Sequence, residues 1–131
     1  MGASVGDLMR AMQTIAPLED AESWDRVGLQ VGSRTQPIDG PVLLTIDLTE
    51  KVLEEAMSVR ASVVLAYHPP IWEPIDRLTD STPKQKLLLR AIRAGLAIYT
   101  PHTALDAAPG GLADWLCEGL SASGVAGKVA G

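Results

Sequence analysis

The chain has 131 residues, 47% of them hydrophobic and 21% charged, enough for one domain with a real core. Its net charge of −5 argues against a non-specific nucleic-acid binder, which carries a basic face for phosphates. No apolar run reaches the length of a membrane span, the segment from Met1 lacks the basic start and long apolar stretch of a signal peptide, and one cysteine, Cys117, precludes an internal disulfide, so a cytoplasmic location is the simplest expectation.

Ser4 and Asp7 form a capping-box pattern. Val5, Leu8, Met9, Met12 and Ile15 then recur at helical spacing, which predicts an amphipathic helix over 5–15 ending before Pro17. After the polar stretch Glu19 to Asp25, the alternation of Val27 to Gly32 suits a short strand, with glycines that indicate a bend or a close backbone approach. Val42 to Ile46 reads as a buried strand with Asp47 at its end, and Thr49 caps a helix from about Glu50 to Arg60. Ser62 to Ala66 is the next strand. A proline-rich loop from Pro69 to Pro83 follows, then a helix from Lys84 to Ala94 stopped by Gly95. Leu96 to Tyr99 is a further strand, and Gly111 to Leu120 a last helix. Strands alternating with helices of this length predict an α/β fold, a mainly parallel sheet built of βαβ units with right-handed crossovers and flanked by helices. Residues 1–120 form the expected domain, and 121–131 read as a tail or linker.

Both histidines follow apolar runs, in Tyr67-His68-Pro69-Pro70-Ile71-Trp72 and Thr100-Pro101-His102-Thr103-Ala104-Leu105-Asp106. If strands 62–66 and 96–99 are parallel neighbours, His68, His102 and Asp106 emerge on one carboxyl edge, where open α/β sheets build their sites. Imidazole and carboxylate are ligands for zinc, manganese, iron and nickel, and a set without cysteine favours Lewis-acid chemistry over a structural site. Pro69, Pro70 and Pro101 stiffen the backbone beside the two histidines. The plain alternative for each histidine is a solvated or hydrogen-bonded loop residue. Asp47 is read as a cap for the helix near Glu50, Trp24, Trp72 and Trp115 as core or interface residues, and Cys117 as a small buried hydrophobe.

Four segments together resemble a known family. They are Glu22-Ser23-Trp24-Asp25-Arg26-Val27-Gly28-Leu29-Gln30-Val31-Gly32, then Val64 to Trp72, then Ile98 to Asp106, and Ala107-Ala108-Pro109-Gly110-Gly111. In this order, across nearly the whole chain, they are similar to the NIF-three-like family (NGG-one-interacting factor three), whose members often carry the label GTP cyclohydrolase I type 2. The resemblance implies an α/β fold with a dinuclear divalent-metal site, usually in a toroidal homohexamer. It implies His68 and Asp106 as metal ligands and His102 as a proton-transfer or ligand-supporting residue.

Two departures stand out. Tyr67 occupies the place of the first histidine of a His-His pair, as in the eukaryotic branch of the family. The family's C-terminal His-x-x-x-Glu has no counterpart, because no histidine follows His102. The chain therefore reads as the N-terminal half of a NIF-three-like fold, with 121–131 as a tail or the start of a missing half. The leading expectation is a metal-dependent hydrolase acting on a small molecule. A non-catalytic metal-handling protein and a protein-interaction module are the alternatives.

Overall fold

In the computed structural model, which describes residues 2–122, four strands form one sheet in the order β1-β4-β3-β2. Their ranges are β1 Gly28–Val31, β2 Val42–Thr45, β3 Val63–Ala66 and β4 Ala97–Thr100. β2, β3 and β4 are parallel, and β1 runs antiparallel to β4. The α/β class and the mainly parallel sheet expected from the sequence are what the fold shows.

The helices are α1 Val5–Ile15, α2 Glu50–Ser58, α3 Pro83–Arg93, α4 His102–Ala107 and α5 Leu112–Ala122, with a 3-10 turn at Leu18–Asp20. Their starts are written in the sequence. Ser4 and Asp7 complete both halves of a capping box at α1. The Thr49 and Thr82 hydroxyls accept from the Val52 and Gln85 amides at the heads of α2 and α3. Pro83 stands in the first turn of α3, where its missing N–H costs nothing. Gly95, at φ +72°, ends α3 in the left-handed conformation.

The two crossovers step across the sheet in one direction, so α2 and α3 cover the same face. There Leu53, Ala56, Leu88 and Ala91 pack on Val64, Ala66 and Ile98. α1 covers part of the opposite face, with Val5 against Val63 and Ala97. Alternation along β3 divides its side chains between these two cores. A third, small cluster of Ala16, Ala104 and Ala108 seats α4.

The sequence pattern assigns no helix to residues 102–107, and they form the short helix α4. Seven residues between Pro101 and Pro109 give too little periodicity to signal a helix, and alanine packing supplies what propensity does not. The last helix continues to Ala122, past the expected end at Leu120. The expected tail at 121–131 thus begins inside this helix, and 123–131 lie outside the described residues. Among the described residues no helix is long and apolar enough to cross a membrane.

Candidate functional site

The parallel strands end on one rim, and each delivers a side chain there. β2 leads into Asp47, β3 into Tyr67 and His68, and β4 into Pro101 and His102. Pairing continues past β3, because the Tyr67 and His68 amides donate to the Thr45 and Ile46 carbonyls at 2.9 Å. The buried Thr100 hydroxyl donates to the Tyr67 carbonyl at 3.0 Å, tying the ends of β3 and β4 together. β1 runs the other way, with Gly28 opposite Thr100, so its entering loop brings Trp24, Asp25 and Arg26 to the same rim.

Each histidine is held by an aspartate. His68 Nδ1 meets Asp47 Oδ1 at 2.8 Å, and His102 Nδ1 meets Asp25 Oδ1 at 2.8 Å. A carboxylate can only accept, so each Nδ1 carries a hydrogen, and it is the neutral ring's Nε2 that offers a lone pair. The two imidazoles lie 5.5 Å apart, centroid to centroid, at 81°. The Tyr67 ring is 5.0 Å from His68 and 5.4 Å from His102. Its hydroxyl donates to Asp106 Oδ1 at 2.5 Å. His68, His102 and Asp106 therefore surround Tyr67.

The two aspartates differ in kind. The Asp47–His68 pair is half-exposed, so it orients the ring and adds little stability. The Asp25 side chain is fully buried. Burial disfavours its charge, but hydrogen bonds from His102, from the Thr103 hydroxyl and from the Arg26 and Thr103 amides outweigh that and hold its carboxyl down to about 2. Tyr67 goes the other way. Burial, then the bond to Asp106 and the charges of Asp106 and Asp25, push its phenol up to about 12, so it stays a neutral donor.

His102 sits at φ +33°, a conformation few residues other than glycine adopt. The Thr103 amide and hydroxyl both donate to Asp25 Oδ2, and the Glu22 amide donates to the Thr103 hydroxyl. This network fixes the strained backbone at the head of α4. The loop after His68 is pinned as well. Gln30, at an irregularity in β1, donates to the Ile71 carbonyl at 2.8 Å and accepts from the Ile71 amide at 2.9 Å.

Three sequence readings need correction. Asp47 does not cap α2, since Thr49 does, and its carboxylate turns to His68 instead. Of the core-or-interface reading for Trp24 and Trp72, the core half fails. They are 53% and 41% exposed and each lies 6.3 Å from the His102 ring. Trp115 is exposed on α5, and Cys117 is only half-buried. Asp25, the best-buried charge of the site, received no role from the sequence. The signal for it was its place beside Trp24 in a segment that carries the family resemblance.

The sequence profile of the Duf34/NIF3 (NGG1p interacting factor 3) family matches residues 3–127. The chain belongs to this family. NIF3-like protein 1 of Homo sapiens is 45% identical over 115 residues, covering 88% of this chain and 30% of the relative. Two solved structures share the fold. A Bacillus cereus protein related to NIF3 has a TM-score of 0.82 at 32% identity, over 90% of this chain and 32% of the other. Staphylococcus aureus hypothetical protein SA1388 has a TM-score of 0.84 at 27% identity, over 92% and 40%. The chain thus spans 30–40% of the length of these relatives.

The site residues fit a divalent cation in kind but supply only part of a ligand set. His68 Nε2 and the Asp106 oxygen not engaged by Tyr67 are two donors, where a zinc site takes three or four protein ligands. Among the described residues no group of three or more His, Cys, Asp or Glu is arranged to hold a metal ion.

Proposed function

We propose that this NIF3-family chain carries part of the divalent-cation site of a metal-dependent hydrolase. In this reading His68 and Asp106 hold zinc, manganese, iron or nickel, and His102 moves a proton. The observation that carries it is the convergence of two carboxylate-backed imidazoles and Asp106 around Tyr67. Backing of Nδ1 by a carboxylate is how proteins fix the tautomer and raise the basicity of a ligating or proton-transferring histidine. A divalent cation held there supplies Lewis acidity toward a substrate oxygen and makes water more acidic.

The chain's own residues divide the remaining work. Asp25 keeps His102 in the tautomer whose Nε2 can take a proton, and it stabilises the imidazolium that results. Tyr67 orients Asp106 through its hydroxyl and stays protonated while doing so. The label GTP cyclohydrolase I type 2 names one substrate to try, beside simple phosphoesters. Turnover should need added metal, fall with His102→Gln while metal uptake persists, and vanish with His68→Ala. Turnover unaffected by replacing both His68 and Asp106 would remove the reading.

A second reading is a non-catalytic metal-handling protein or interaction module. The exposure of Leu44 and Ile46 in and just beyond the edge strand β2 favours the interaction module. Metal passed to an apo-acceptor with no turnover on any substrate would support metal handling. Assembly with a partner at no metal above background would support the module.

A further inference from the structure

Trp24 and Trp72 are large apolar side chains left open beside the reactive groups. Their ring centroids are 6.1 Å apart at 57°, and each indole stands edge-on to the His102 ring, at 75° and 87°. Both loops that carry them are fixed. Trp24 precedes the Asp25 anchor, and Trp72 follows Ile71, which Gln30 clasps. The backbone carrying the indoles is therefore anchored before any ligand arrives, which lowers the ordering cost of binding.

Arg26 adds a charge. Its guanidinium lies 5.9 Å from the Trp72 ring centroid, and its Nη1 donates to the Trp24 carbonyl at 3.2 Å. Among the described residues no carboxylate pairs with it. Arg26, Leu29, Trp72, Glu73 and Pro74 line an open cavity of about 320 Å³ on the Arg26 side of Trp72, the size of a small-molecule site, and Trp24 and the histidines lie outside its lining. An exposed indole stacks on flat π systems, and a guanidinium held over it is oriented for a carboxylate or phosphate. The small cavity, the nearby Glu73 and the acidic chain disfavour a polyanion.

We propose that Trp24, Trp72 and Arg26 form the specificity wall of this site, and that its ligand is a small molecule with a planar aromatic ring bearing an anionic group. The ring lies against the indoles and the anion meets Arg26. The inference rests on the proposed function only for which end of the ligand reacts. Binding itself needs no metal.

The indole N–H signals of the protein, followed by NMR, report binding directly. Phenyl phosphate and 5′-AMP carry a ring and an anion, adenosine the ring alone, ribose 5-phosphate the anion alone. The ring-bearing anions should shift the Trp24 and Trp72 signals saturably and leave Trp115 unmoved. Trp72→Leu should weaken them at least tenfold and Trp72→Phe far less. Arg26→Gln should bring 5′-AMP down to the affinity of adenosine. Ring-bearing anions that bind no better than ribose 5-phosphate, or an affinity unchanged by Trp72→Leu, would overturn the proposal. Metal uptake measured on the same Trp72→Leu protein separates the two readings. Uptake kept with ring binding lost in this variant supports the wall. Wild-type ring binding with no metal uptake overturns only the proposed function.

Discussion

Asp25 and His102 are 77 positions apart in the chain, yet Asp25 Oδ1 accepts from His102 Nδ1 at 2.8 Å. The antiparallel course of β1 makes this possible, because it returns the loop before Gly28 to the rim where β4 ends. One buried carboxylate thereby sets the tautomer of His102 and holds the strained head of α4 through Thr103.

Asp25→Asn keeps the shape and removes the charge. Hydrogen bonds to a charged group are worth about 1.5–3 kcal/mol, so a loss of that order is expected in urea denaturation. The pH dependence follows from the lowered pKa. With a folded value of about 2 against an ordinary 3.8, the contribution is present above pH 4 and is lost as pH falls toward 2. The wild type should therefore lose more stability than Asp25→Asn over that window. Equal acid sensitivity of the two would contradict the network.

Tyr67 makes the opposite prediction at alkaline pH. Its phenol is pushed from an ordinary 10.0 up to about 12 in the fold, so the unfolded chain gives up this proton first. Stability is full below pH 10 and declines as pH rises from 10 to 12. Burial raises Tyr99 as well. Tyrosinate absorbance should therefore appear late in the folded protein, and Tyr67→Phe should reduce the alkaline loss without abolishing it. Tyrosinate forming at the ordinary pH in the folded state would contradict the buried bond to Asp106.

Gln30 holds the proline-rich loop by two bonds to Ile71. Gln30→Ala should leave the Ile71 amide and carbonyl unpartnered, cost about 1–3 kcal/mol, and speed hydrogen exchange in the loop following His68. Gln30→Ala should also weaken ring binding, since Trp72 adjoins Ile71. Unchanged exchange would show that the loop holds itself.

Gly32 lies at φ +117°, and a Cβ there would stand 2.8 Å from the Ala97 Cβ. Gly32→Ala should force β1 away from β4 and destabilise by about 1–3 kcal/mol, read as a fall in the denaturation midpoint. A neutral substitution would mean that the close approach of the two strands is not needed.

The alternation of strands and helices was legible because each element carries its own periodicity and its own cap, as Ser4, Thr49 and Thr82 show. The rim position of His68, His102 and Asp106 followed from parallel strands alone. The direction of β1 was not legible, since a strand of four residues carries no mark of its pairing partner. With it went the role of Asp25 and the exposure of Trp24. Asp47 was misread because an aspartate two residues before a capping threonine looks like a cap, and only the fold brings His68 within reach. The short helix α4 is stabilised by the contacts of Ala104 and Ala108, which local sequence does not reveal.

His68 and Asp106 are proposed to share a divalent cation. Tyr67→His would add an imidazole to a set of two donors, so it should tighten zinc uptake relative to the wild type. The direct test is equilibrium dialysis of the chain against zinc or manganese, with elemental analysis of the wild type, His68→Ala and Asp106→Asn. A cation shared by His68 and Asp106 predicts weak, chelator-sensitive uptake by the wild type that disappears in both variants while their folded spectra are kept. Uptake undiminished in the two variants, or none by the wild type at millimolar ion, would contradict it.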